Sequence, residues 1–266
     1  GKEDYMSNLL NNKVAIVTGS GRGIGRGIAI LMAQQGAKVV VADPGVDLDG
    51  SGGSSSIADS VVQEIISQGG SATAAYDSVG TMQGGEAIVQ RAIDSFGRLD
   101  VVVTCAGILR DRMVFNMTEE EWDSVINVHL KGTFTVVKHA CILFRQQRSG
   151  RIITFSSTSG LIGNSGQANY GAAKAGIAAF TIIAARELHR IGVTVNAIRS
   201  NYLDFSGFIK ANGADDPKRR AKIEARVPLR RLGTLEELAE FTAVLLDGRS
   251  RFQTGQFFSF SGGWST

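Results

Sequence analysis

The stretch Lys13–Asp43, KVAIVTGSGRGIGRGIAILMAQQGAKVVVAD, decides the fold. Lys13 to Thr18 is a short apolar run that meets glycines, the pattern of a buried strand. Gly19 to Gly25 follows as a loop, and Arg26 to Gln35 reads as a helix that stops at Gly36. Lys38 to Ala42 is a second buried strand, closed by Asp43-Pro44. Strand, glycine loop, helix and strand make a β-loop-α-β unit at the start of the fold.

The alternation continues outward from that unit. Helical periodicity spans Ile57 to Gln68, Glu86 to Phe96, Tyr170 to Leu188 and Leu235 to Leu246. Thr118 with Glu121 forms a capping-box pattern for a helix running through Trp122 towards Phe144. Short apolar strands are expected at Ser71–Tyr76, Leu99–Thr104, Arg151–Phe155, Val193–Ile198 and Gln256–Phe260. Seven apolar strands alternating with helices predict an α/β fold: one doubly wound parallel sheet with helices on both faces. One domain is expected over 13–266, after an N-terminal extension over 1–12 that can include an expression scar. Val46–Ser56 (VDLDGSGGSSS) interrupts the pattern as a Gly/Ser-rich insertion, either a surface loop or a flap near the adenosine end of a nucleotide.

Composition narrows the function. The chain has 266 residues, 43% hydrophobic and 20% charged, with a net charge of +3. That suits a globular core and gives nucleic-acid binding little support. The two cysteines, Cys105 and Cys141, make no disulfide framework and fit a reducing, cytoplasmic compartment. No apolar run approaches the roughly 20 residues of a membrane span.

Two groups of residues carry chemistry. In Gly19-x-x-x-Gly23-x-Gly25, glycine lets a phosphate approach without a Cβ, and the next helix offers N–H groups at its positive dipole end. Gly19, Arg22, Gly23, Ile24 and Gly25 are thus candidates for a dinucleotide pyrophosphate, against the alternative of a structural turn. Asp43, at the end of the second strand, can accept from an adenosine ribose and would repel a 2′-phosphate. That favours NAD, with NADP as the alternative because Arg22 could meet a phosphate. Asp77 and Ser78 follow the third strand on the same edge, where Asp77 could take an adenine amino group or simply make a turn. Tyr170 and Lys174, four apart on one helix face, form the second group. A lysine ammonium one turn away, with a cationic nicotinamide, would lower the tyrosine pKa from near 10, so that Tyr170 exchanges a proton with an alcohol or ketone oxygen. Ser157 could hydrogen-bond that oxygen.

The set Gly19-x-x-x-Gly23-x-Gly25, Ala106-Gly107 after a strand, Ser157, then Tyr170-x-x-x-Lys174 resembles the short-chain dehydrogenase/reductase family over nearly the whole chain from Lys13. The resemblance implies a single-domain Rossmann fold, nicotinamide-dependent hydride transfer between alcohol and ketone, a small-molecule substrate and a homotetramer. It places Ser157, Tyr170 and Lys174 on catalytic positions and Ala106 and Gly107 beside the cofactor. VVVADPG, ILRDRM, INVHLKGTF and GNSGQANYGAAKAG are similar to the (3R)-hydroxyacyl-CoA dehydrogenase unit of the peroxisomal multifunctional β-oxidation enzyme and to single-domain bacterial relatives. A 3-hydroxyacyl/3-oxoacyl thioester is the expected substrate. A hydroxysteroid dehydrogenase, an NADPH-dependent 3-oxoacyl-[acyl carrier protein] reductase and a non-catalytic dinucleotide-binding scaffold are the alternatives.

Four positions depart from the family pattern. Asn-Asn-Ala-Gly is replaced by Thr104-Cys105-Ala106-Gly107. The family's fourth catalytic residue, an Asn, aligns with His129, which can replace it through a neutral imidazole or serve as a packed core histidine. Pro-Gly after the sixth strand is replaced by Ser200-Asn201, within Arg199–Asp204, the loop expected over the nicotinamide. Val-Asp-Gly-Gly is replaced by Phe260-Ser261-Gly262-Gly263. A substrate lid is expected over about 202–227, an amphipathic helix pair whose Lys210, Lys218, Arg219 and Arg220 form either a solvated face or a contact for CoA phosphates.

Overall fold

Residues 8–264 are described by a computed structural model. The apolar runs become strands β1 (Val14–Thr18), β2 (Lys38–Ala42), β3 (Ser71–Ala75), β4 (Val101–Thr104), β5 (Gly150–Ser157), β6 (Val193–Ser200) and β7 (Phe257–Phe260). All neighbours are parallel, in the order β3-β2-β1-β4-β5-β6-β7. The order reverses between β1 and β4, the place where an open α/β sheet leaves a crevice at its carboxyl edge. This is the doubly wound parallel sheet that the alternation predicts.

Residue alternation along the strands feeds two cores. On one face Ala15, Val17, Val39, Val41, Val101 and Val103 pack with α1 (Gly23–Gln34), α2 (Ser55–Ser67) and, near the chain's end, the helix Leu235–Leu246. On the other, Val14, Ile16, Val40, Val102 and Ile152 meet α3 (Met82–Phe96) and the two long helices that follow β4 and β5. Leu10, in the segment expected as an extension, is 1% exposed and donates its N–H to Gln35 O at 3.0 Å, so it belongs to the packed body. Residues 1–7 of that extension lie outside the described residues.

Several element ends differ from the sequence expectation, α3 beginning at Met82 and β5 reaching Ser157 among them, and three differences bear on the site. Helix α1 starts at Gly23 instead of Arg26, because Gly23 and Gly25 themselves form its first turn. The helix expected from Thr118 to Phe144 is divided. Its capping box at Thr118 and Glu121 is present, but α4 (Glu119–Ile126) passes through a π turn, Asn127–Lys131, into α5 (Gly132–Gln147). A π turn holds one extra residue, which periodicity alone does not register. Strand β6 runs on to Ser200, paired with Ser157 on one side and Phe260 on the other. Without a proline at Ser200 nothing breaks that ladder. Beyond it, Tyr202 takes the left-handed conformation (φ +54°) and Leu203 bridges to Gly233.

The remaining helices are α6 (Ala168–Leu188), α7 (Ser206–Asn212), α8 (Pro217–Glu224) and α9 (Leu235–Leu246). Helices α7 and α8 lie within 202–227, the segment expected as a lid. No helix among the described residues is long and apolar enough to cross a membrane.

Candidate active site at the carboxyl edge of the sheet

The glycine loop follows β1 directly. Gly19 takes φ +64°, and a Cβ there would stand 2.6 Å from Ala106 Cα, so only glycine lets the β1 and β4 loops touch. Ala106 N–H donates to Thr18 Oγ1 at 3.2 Å, tying the same two loops. Arg22 is the N-cap of α1 and gives it no side-chain bond, which leaves the first-turn N–H groups without a side-chain cap. Ile24 packs on the core behind them.

Asp43 closes the loop from the side. Its Oδ2 accepts from Gly21 N at 2.8 Å and its Oδ1 from Gly45 N at 2.7 Å. The Arg22 guanidinium turns away from the loop, donating at 3.2 Å to Val46 O and to Asp47 Oδ1. Asp77 and Ser78 are exposed just past β3, and Asp43 N–H donates to Ala75 O at 2.9 Å, so all three share one edge.

The Gly/Ser-rich insertion is no isolated loop. Leu109 N–H donates to Leu48 O at 2.8 Å, and Arg110 Nε to Asp49 O at 2.7 Å. The insertion therefore reaches from β2 across β1 to the segment after β4. On the other side the Phe205 ring, in the segment expected as a lid, lies against Gly23, 3.4 Å from the position a Cβ would take.

Ser157, Tyr170 and Lys174 converge on the adjoining edge. Ser157 ends β5; its hydroxyl accepts from Ser159 N at 3.3 Å and stands close enough to the Tyr170 phenol to hold its pKa down. Tyr170 and Lys174 share a face of α6, with the Lys174 ammonium 5.5 Å from the Tyr170 ring centroid. Lys174 is 6% exposed and donates to Phe155 O at 2.7 Å. Burial pushes its ammonium down to about 8. Burial, the largest cause, raises the Tyr170 phenol; the Ser157 hydroxyl opposes it, and the charge of Asp111 adds to it. The lowering expected of Lys174 together with a cationic nicotinamide concerns the bound cofactor; in the chain alone the Lys174 ammonium is turned to a carbonyl.

His129 sits in the π turn, 4% exposed, its ring edge-on to Tyr170 at 5.1 Å. Its Nε2 is 2.8 Å from Ile108 O and 3.1 Å from Ile108 N, while its Nδ1 has no partner among the described residues. Burial, then the charge of Lys174, pushes the imidazole down to about 3, so it stays neutral. Gly107 makes room for it: a Cβ there would lie 2.2 Å from His129 Cε1. Cys105 is half-buried against the core, its thiol raised by burial to about 12, which fits packing.

Sequence reasoning missed the polar frame around Ser157. Ser159 Oγ donates to Gln167 Oε1 at 2.9 Å, Asn164 Nδ2 donates to Ser159 Oγ at 2.8 Å, and Gln167 Nε2 donates to Asp111 Oδ2 at 2.9 Å. Asn169 is fully buried and clamps Arg110 O and Glu121 O through its Nδ2, at 3.0 and 2.8 Å. The polar cluster in GNSGQANY was the available signal. Arg199 points to β7, where its Nη2 donates to Ser259 Oγ at 2.5 Å.

Comparison with known proteins agrees with this geometry. The family model described as Enoyl-(Acyl carrier protein) reductase matches residues 19–265. A 3-oxoacyl-[acyl-carrier-protein] reductase of Synechocystis sp. is 40% identical over 255 residues, 96% of this chain and 97% of that protein. The mouse peroxisomal multifunctional enzyme type 2 is 47% identical over 191 residues, 72% of this chain but only 26% of that longer protein. The crystal structure of a short chain dehydrogenase from Mycobacterium avium superposes with a TM-score of 0.78 at 41% identity, covering 96% of this chain and 84% of that one.

Proposed function

The chain belongs to the short-chain dehydrogenase/reductase family, and we propose that it interconverts a 3-hydroxyacyl and a 3-oxoacyl thioester with a nicotinamide dinucleotide, NAD in preference to NADP. One observation carries the reading: Ser157, Tyr170 and Lys174 meet at the carboxyl edge of the sheet, beside a glycine loop shaped for backbone contact.

The residues present fit a dinucleotide. The close approach of Gly19 to Ala106 and the first-turn N–H groups of α1 make a cradle for a pyrophosphate. Each Asp43 oxygen accepts one backbone bond and keeps a lone pair for ribose hydroxyls. Its charge would repel a 2′-phosphate, and Arg22, the group that could offset this, is paired with Asp47. Both points support NAD. Asp77, Ser78, Ala106 and Gly107 complete the expected lining. When bound, the nicotinamide would take or supply the hydride and, oxidised, add a positive charge beside Tyr170.

The chain's own groups handle the proton. Tyr170 takes it from the substrate hydroxyl, or returns it to the carbonyl oxygen, at its phenolic oxygen. Ser157 donates to the same substrate oxygen and holds it against Tyr170. Lys174, fixed by Phe155 O, stands one helical turn behind as the residue that would hold a ribose hydroxyl of the cofactor and, as a cation, would favour phenolate. His129 acts as a neutral imidazole whose Nδ1 takes the hydrogen bond that the family's Asn would make.

The near-full-length identity to a 3-oxoacyl-[acyl-carrier-protein] reductase favours a second reading, NADPH-dependent reduction of a carrier-bound 3-oxoacyl group. Titrating NADH against NADPH, then assaying 3-hydroxyacyl-CoA and 3-oxoacyl carrier-protein thioesters, separates the two. Tighter NADPH binding would overturn the Asp43 argument. Dinucleotide binding with no turnover of any thioester, steroid or small alcohol would favour the scaffold alternative. A cytoplasmic homotetramer is the proposed assembly. It is supported by the half-exposed Phe257 on the edge strand β7 and tested by light scattering.

A further inference from the structure

The lid carries a charge pattern that hydride transfer does not use. Phe205 to Arg231 holds eight Lys/Arg and three Asp/Glu, in a chain whose whole net charge is +3. Some of these cations are spent on structure. Arg220 pairs with Asp204 at 2.5 Å and with Glu224 at 2.9 Å, and Arg231 pairs with Glu237 at 2.6 Å.

The others on α8 are arranged as one face. At 3.6 residues per turn, Lys218, Arg219, Lys222 and Arg226, the last just past the helix end, fall within an arc of about 100°. Arg220 and Glu224 lie on the opposite side. All four cations are exposed and none forms an ion pair among the described residues.

The helix is anchored beside the candidate site. Arg220 ties it to Asp204, four residues after Ser200, and Ser200 is the register partner of Ser157. The next residue, Phe205, rests on Gly23 of the glycine loop. The arc is therefore the outer face of the segment that roofs the crevice.

We infer that the arc of Lys218, Arg219, Lys222 and Arg226 binds the phosphate groups of coenzyme A, holding the carrier end of the substrate while its acyl end reaches Ser157 and Tyr170. The inference rests on the thioester reading above. Closely spaced lysine and arginine suit a compact polyanion, the arginines through forked contacts to phosphate oxygens. A carrier protein offering an acidic helix fits less well. Laid along the arc, such a helix would meet Asp215 and Asp216 just before the first turn.

The test compares thioesters that differ only in the carrier. Wild-type chain and the triple variant Lys218→Gln, Arg219→Gln, Lys222→Gln are assayed with 3-hydroxyacyl-CoA and with the same acyl group on N-acetylcysteamine, which has no phosphate. Removing three exposed charge contacts is expected to raise KM for the CoA thioester about tenfold. The N-acetylcysteamine kinetics and NADH binding stay unchanged. Salt added to the wild-type chain erodes the same preference without any substitution. Calorimetric titration of free coenzyme A reads the contact without turnover and is expected to weaken by the same factor in the variant. An unchanged CoA affinity, or a loss confined to a carrier-protein thioester, overturns the inference. Charge-dependent CoA binding by a wild-type chain that turns over no thioester would overturn the catalytic reading and leave this one standing.

Discussion

His129 and Asp43 show how single side chains set testable behaviour. Folded His129 is held at about 3, and the unfolded chain titrates near the ordinary 6.5. Between those values the unfolded state binds a proton that the folded state refuses, so stability falls as pH drops from 6.5 towards 3, by at most about 1.4 kcal/mol per pH unit. Urea unfolding across that window should show the slope in the wild type and a shallower one in His129→Asn; equal slopes would contradict the burial of a neutral ring. Asp43→Asn removes the charge that selects against a 2′-phosphate. The ratio of NADH to NADPH affinity should fall about tenfold or more, given the 1.5–3 kcal/mol of a hydrogen bond to a charged group. At this scale the sequence was most legible where chemistry needs fixed spacing: Tyr170 and Lys174 lie one turn apart on α6, and Ser157 ends a strand. It was least legible where partners come from distant loops. Asp111 and Gln167 are 56 residues apart, and nothing local announces their bond. The depth at which Tyr170 is buried also escaped, because burial, the largest influence on its phenol, is a property of the packed molecule.

Elements were read well where their ends carry signals. Thr118 with Glu121, and the Gly36 stop, mark boundaries that the structure reproduces closely. Replacing Thr118 with Ala removes a two-way capping box and should cost about 1 kcal/mol in denaturant unfolding. The π turn at Asn127–Lys131 was invisible, since its apolar spacing continues that of the flanking helices, yet it places His129 against Tyr170. Composition alone left the Gly/Ser-rich insertion as either a surface loop or a flap. Its backbone bonds to Leu109 and Arg110 fix it across the crevice, and backbone contacts leave no mark in residue type. The extension of β6 to Ser200 was only half readable: the missing proline was plain, but its consequence, continued pairing with β5 and β7, needed the sheet.

The whole molecule unites these parts at one edge of a parallel sheet, where order reversal opens a crevice between β1 and β4. A dinucleotide that binds there recognises only the folded chain. At 100 times its Kd, NAD should add about 2.7 kcal/mol of stability, read as a rise in Tm, and a null shift would argue against the crevice as its site. The alternation of buried strands and helices made this architecture legible from Lys13–Asp43 outward. The central claim is that Tyr170 moves the proton that accompanies hydride transfer. The most direct test follows 3-hydroxyacyl-thioester oxidation at the nicotinamide absorbance in wild type and Tyr170→Phe. The account predicts turnover in the wild type and a loss of at least about 100-fold in kcat for Tyr170→Phe, with NAD affinity retained. Turnover in Tyr170→Phe close to that of the wild type would contradict it.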